Sequence, residues 1–138
     1  MREILFRGHS KENGEWVEGD FCKPCNIIYE QNGHDDITGQ DNVPIIYDYA
    51  VKPETVGQYT GRNIGEQKVF EGDILQNGTG VYIVCWDEKF LQWHVVNEKG
   101  NGCFNLNTLL TDKKRPCKLI GNVHDNPELL KGDKNETA

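Results

Sequence analysis

Val81-Tyr82-Ile83-Val84-Cys85-Trp86 decides how the rest of the chain reads. It is the longest apolar run, it is rich in β-branched and aromatic residues, and it is too short for a buried helix. Apolar residues on both faces predict a central strand rather than an edge. Asn77-Gly78 precedes it, a pair that accepts positive φ and suits a tight hairpin turn. Asp87-Glu88-Lys89 follows, and Phe90 to Asn97 returns with Leu91, Trp93 and Val95 inward and Gln92 and His94 outward. Lys99 to Gly102 turns the chain again. Phe104 to Leu110 fits either a strand or a short helical turn, and Lys118 to Val123 reads as a further strand. Upstream, Val69 to Gln76 carries Glu71-Gly72-Asp73 ahead of Ile74-Leu75. Five short strands with tight turns predict a small SH3-like barrel, which would cover its own edges.

The pattern persists towards the N-terminus. Four Asn-Gly pairs occur, at 13–14, 32–33, 77–78 and 101–102. Glu3 to Arg7, Glu15 to Cys22, Ile27 to Glu30 and Val43 to Val51 read as strands, with a polar loop over Asn32 to Asn42. Pro53 ends the fourth, and Glu54 to Gly61 reads as a connector with some order. Asn63 to Lys68 reads as a polar turn. Asp125 or Asn126, Pro127 and Gly132 frame one short helix near the C-terminus, with Leu129 and Leu130 on its packed side. The expected fold is mainly β: an acidic β-rich unit over 1–60, the SH3-like barrel with its short helix over 61–132, and a disordered charged tail over 133–138. Only 2 Ala stand against 15 Gly and 13 Asn among 138 residues, which excludes a helical bundle.

Charge narrows the function. The net charge is −7, and residues 1–60 hold 5 basic and 11 acidic side chains against 10 and 11 in 61–138. Such a surface disfavours polyanions. The exception is the basic cluster Lys113, Lys114, Arg115 and Lys118, which together with Trp86 and Trp93 forms a candidate nucleic-acid surface. A solvated loop beside Pro116 and a core role for the two tryptophans explain the same residues. No run can cross a bilayer, and Met1-Arg2-Glu3-Ile4 lacks the apolar stretch of a secretory leader. Five cysteines, an odd number, then fit reduced thiols in a cytoplasm. Cys85 and Cys103 read as small core hydrophobes.

Cys22-Lys23-Pro24-Cys25 is the sharpest local motif. Two thiolates at this spacing can hold a metal, with His34 as a third ligand, or exchange a disulfide. A hairpin loop with incidental thiols is the competing reading, and Pro24 with Ile27-Ile28-Tyr29 opposes the helix that a redox pair uses. His94 and His124 read as surface residues. Ser10 is the only serine, and no Gly-rich phosphate loop or nucleophile elbow is present, so no catalytic residue and no cofactor is nominated.

Four segments resemble the YopX family of phage and prophage proteins: Arg2-Glu3-Ile4-Leu5-Phe6-Arg7-Gly8, Pro53 to Gly61, Phe70-Glu71-Gly72-Asp73-Ile74, and Ile120 to Leu130. The resemblance implies a phage-encoded protein of the host cytoplasm with an SH3-type barrel in its C-terminal part, and it supplies no catalytic residues. The expected function is non-enzymatic interaction or assembly, through self-association or an unidentified phage or host protein. A nucleic-acid-binding module is the alternative. Within the segments, Gly72 suits a tight entry into the next strand. Gly57 and Gly61 suit backbone turns, and Asn122 and Asn126 can fix the last helical turn.

Overall fold

The computed structural model describes residues 3–34, 37–38, 41–78, 80–99 and 102–130, with the side chains of 31–34 and 41–45 excepted. The chain divides into two compact units, Met1–Tyr59 and Thr60–Ala138. The tail over 133–138 lies outside the described residues, as does the Gly132 end of the expected terminal helix.

In the first unit, β1 (Phe6–His9), β2 (Trp16–Cys22), β3 (Ile27–His34) and β4 (Asp41–Ala50) form an antiparallel meander. The start of β5 (Gly57–Ile64) pairs with β1 on its other side. Gly14, at φ 73°, closes the first hairpin. The expected loop over Asn32 to Asn42 is strand at both ends: β3 continues through His34 and β4 begins at Asp41, with a register shift between Asn32 and His34. A bulge absorbs the Asn-Gly pair without ending the ladder. Ile28 and Val51 are fully buried. A side chain at Gly8 would press on Val56, Ile28 and Val51 at 3.2–3.3 Å, so the strands close over a glycine there. Thr55, in the 3₁₀ turn Pro53–Thr55, accepts the His9 N–H at 2.9 Å and donates to the Lys52 carbonyl at 2.6 Å.

In the second unit, β5 continues and turns at Gly65, φ 62°, into β6 (Gln67–Phe70). Gly61, at φ 86°, bends β5, whereas Gly57 sits in extended strand and makes no turn. A five-stranded antiparallel sheet follows: β7 (Asp73–Asn77), β8 (Gly80–Asp87), β9 (Gln92–Asn97), β10 (Cys103–Asn105) and β11 (Cys117–Asn122), in the order β10-β9-β8-β7-β11. The 81–86 run therefore occupies the central strand. The barrel does not close: β10 and β11 stand at opposite ends of the sheet. β10 is only three residues long and gives way to the helix α1 (Leu106–Leu110), which packs on β9 and β10. Phe104 to Leu110 thus divides into strand and helix, with Asn105 capping the helix. Leu106 and Leu109 complete a core of Val69, Leu75, Val84 and Val95, flanked by Tyr82, Trp93, Phe104 and Leu119. That apolar cluster is the main stabilising element of the unit. Among the described residues no helix is long and apolar enough to cross a membrane.

Candidate functional site

Strand parity gives β8, β9 and β10 two chemically different faces. Tyr82, Val84, Trp86, Trp93, Val95 and Phe104 share the core side, so Ile83, Cys85, Asp87, Gln92, His94, Cys103 and Asn105 share the other. The registers Cys85↔His94↔Asn105 and Asp87↔Gln92 place His94 diagonal to both Asp87 and Cys103. His94 is 7% exposed, so it is buried rather than the surface residue its outward parity suggested. The Phe90 ring, 6.1 Å away and tilted, contributes to its cover.

Two groups converge on one ring nitrogen. His94 Nδ1 lies 2.9 Å from Asp87 Oδ2 and 3.2 Å from Cys103 Sγ. The donor atoms of Asp87, His94 and Cys103 all fall within 4.8 Å of one another, close enough to hold a metal ion. The other nitrogen, Nε2, lies 2.8 Å from the Gln92 side-chain nitrogen, and Asn105 donates to Gln92 Oε1 at 2.9 Å. Asp87 Oδ1 is held by the N–H groups of Lys89 and Phe90 at 2.8 and 3.2 Å, which leaves Oδ2 aimed at His94. The Phe90 N–H keeps the Asp87 carboxyl below its ordinary range against partial desolvation, and the Lys89 N–H with the His94 and Lys89 side chains adds to this. Burial raises the Cys85 thiol pKa, and the negative charges of Cys103, Asp87 and Glu71 raise it further. Neither Cys85 nor Cys103 is a core hydrophobe: Cys85 is half-buried on the polar face and Cys103 is exposed. The i, i+2 spacings Cys85-Trp86-Asp87 and Gln92-Trp93-His94 were visible in the sequence. The register that joins them to Cys103 was not.

The other candidates lie elsewhere. Cys22 ends β2 and Cys25 sits in the turn to β3, where Asn26 has φ 53°. The two thiols lie within hydrogen-bonding reach, and the bond that Cys25 donates to Cys22, with that neighbour's charge, raises the Cys25 pKa. The His34 side chain lies outside the described residues. Lys113, Lys114, Arg115 and Lys118 are exposed, and Asp112 Oδ1 accepts the Lys114 and Arg115 N–H groups at 3.0 and 3.2 Å. The basic loop adjoins the β7–β8 turn, where Asn77 donates to the Arg115 carbonyl at 2.8 Å. Trp86 and Trp93 stack edge-to-face, ring centres 5.1 Å apart, at the other end of β8. Six residues of strand separate Trp86 from Gly80, about 20 Å, so loop and tryptophans do not form one surface.

The sequence matches the family described as YopX protein over residues 5–131, nearly its whole length. The chain belongs to the YopX family. No curated protein matches it. The segments that carried the YopX resemblance hold the frame. Asp73, 1% exposed, accepts the Phe70 N–H at 2.7 Å, while Gly72 turns at φ 90° and bonds Val84 and Val123 through its backbone. Asn122 Oδ1 accepts the N–H groups of His124 and Asp125 at 3.0 and 2.9 Å, and Asn126 Oδ1 accepts that of Asn122 at 3.2 Å. They lead into the 3₁₀ turn Pro127–Leu130, on which Leu129 and Leu130 are half-buried. The Asp87–His94–Cys103 cluster lies outside all four segments of this YopX-family chain.

Proposed function

We propose that this protein is a phage- or prophage-encoded interaction or assembly protein, acting without catalysis in the host cytoplasm and associating with itself. Phage origin and cytoplasmic action rest on the resemblance to phage and prophage YopX proteins. Interaction rests on one observation, the β8–β9 turn, where Phe90 and Leu91 are 62% and 68% exposed. Leu91 holds φ 53°, a conformation that costs a residue with a β-carbon about 1–2 kcal/mol and that Asn or Gly adopts more readily. Folding alone does not favour an exposed leucine there, whereas contact with an apolar partner does. Sedimentation equilibrium of the full chain should show reversible oligomers that the Phe90→Ser/Leu91→Asn double variant dissociates. A monomer at every concentration disposes of self-association.

A second reading is nucleic-acid binding through the 113–118 loop. Lys114, Arg115 and Lys118 line a cleft of about 300 Å³, and Arg62 and Lys113 line one of about 420 Å³. Fluorescence anisotropy with a single-stranded oligonucleotide should then give binding that weakens steeply with salt and with Lys114→Ala/Arg115→Ala. Salt-independent or undetectable binding at low salt removes this reading.

A further inference from the structure

We propose that Asp87, His94 and Cys103 form a binding site for a thiophilic divalent cation of the zinc class. Asp87 Oδ2 and Cys103 Sγ both crowd His94 Nδ1, at 2.9 and 3.2 Å, and its one N–H or lone pair can face only one of them. A cation in place of the proton satisfies all three at once. In tetrahedral zinc coordination, bonds near 2.1 Å to nitrogen and oxygen and near 2.3 Å to sulfur give edges of about 3.4 Å (N···O) and about 3.6 Å (N···S). The observed edges are shorter by about half an ångström, which small side-chain rotations supply. Imidazole, carboxylate and thiolate are donors that zinc accepts, whereas calcium and magnesium want oxygen alone.

Cys85 stands directly across the ladder from His94 on the same face but outside the converging group, and so serves as the control thiol. Binding through Nδ1 moves the imidazole proton to Nε2. Gln92 then meets it by turning its side-chain oxygen to that nitrogen, the outer hydrogen bond that zinc-bound histidines use. Asp87 needs no rearrangement, because Oδ1 is already anchored by two backbone N–H groups. Cys103 is exposed and gives the ion a route in.

The test titrates Co²⁺ into the reduced full-length chain and follows absorbance, then displaces it with Zn²⁺. The expected spectrum combines a thiolate-to-cobalt charge-transfer band with the intense visible bands of tetrahedral cobalt, saturating at one ion per chain. Cys103→Ser should abolish the charge-transfer band, while circular dichroism shows the fold retained. Cys85→Ser should keep that band, and Gln92→Ala should weaken affinity about 10–100-fold. The double variant Cys22→Ser/Cys25→Ser should keep the whole spectrum. Absence of the tetrahedral bands, an unchanged spectrum in Cys103→Ser, or its loss in the Cys22/Cys25 variant overturns the site. Loss of the band in Cys85→Ser overturns the assignment of the sulfur donor to Cys103.

Discussion

Gly121 shows how strictly one residue can be specified. A β-carbon there would lie 2.5 Å from Asn126 Oδ1, the atom that accepts the Asn122 N–H. Gly121→Ala should break that bond and loosen the turn after β11, lowering stability by about 1–3 kcal/mol in a urea melt. Cys117 makes a prediction in pH. Burial pushes its thiol from the ordinary 9.0 up to about 11. Below 9.0 the thiol is protonated folded or unfolded, and its full contribution to stability is present. Above 9.0 the unfolded chain ionises first, so stability falls as pH rises, until the folded thiol ionises too near 11. Urea midpoints across that window should fall less steeply in Cys117→Ala, with the remaining slope partly due to Cys85, whose pKa is also raised. Some of this residue-level detail was legible in the sequence: the turn-fixing roles of Asn122 and Asn126 follow from short side chains beside backbone donors. The burial of His94 was not, because Asp87 and Cys103 reach it from two different neighbouring strands.

Elements were legible where alternation and turn chemistry agreed. The 81–86 run and its return strand carry strong β-formers between tight turns, and both appear in antiparallel register. The return strand starts later than expected, at Gln92, because Phe90 and Leu91 belong to the turn. Parity correctly set Gln92 and His94 against Trp93 and Val95. Reading Cys85 and Cys103 as core filler followed their apolar sequence neighbours and neglected that same parity. At Phe104 to Leu110 the hydrophobic pattern could not separate strand from helix; the decision falls to Asn105. Its Oδ1 accepts the Asn107 N–H at 2.7 Å as a helix cap, and its amide donates to Gln92 at 2.9 Å. Asn105→Ala should therefore cost about 1 kcal/mol for the cap. It should also free the Gln92 oxygen to turn to His94 Nε2, raising the cobalt affinity of the Asp87–His94–Cys103 cluster, whereas Asn107→Ala should leave that affinity unchanged. Equal affinities in the two variants would disconnect the cap from the cluster.

At the scale of the molecule, the two units divide buried side chains and reporters between them. Val69, Leu75, Val84, Val95, Leu106 and Leu109 form a cluster wholly within the second unit, while Ile28 and Val51 are buried in the first. Of the three tryptophans, Trp16 belongs to the first unit and Trp86 and Trp93 to the second. The barrel expected from the sequence was legible as a set of strands but not as an open sheet, because closure depends on where β10 ends and α1 begins. The core beneath it consequently relies on helix residues Leu106 and Leu109 as well as on strands. Leu75, fully buried in that core, offers the sharpest test of the division. Leu75→Ala should cost about 2–5 kcal/mol, because it removes transfer energy and leaves a cavity. If the cost stays local, denaturation followed in Trp16→Phe, where Trp86 and Trp93 report alone, should shift by that amount. Denaturation followed by Trp16, with Trp86→Phe/Trp93→Phe in the background, should shift by less than half as much. Coincident shifts of both signals would mean that the two compact units unfold as one.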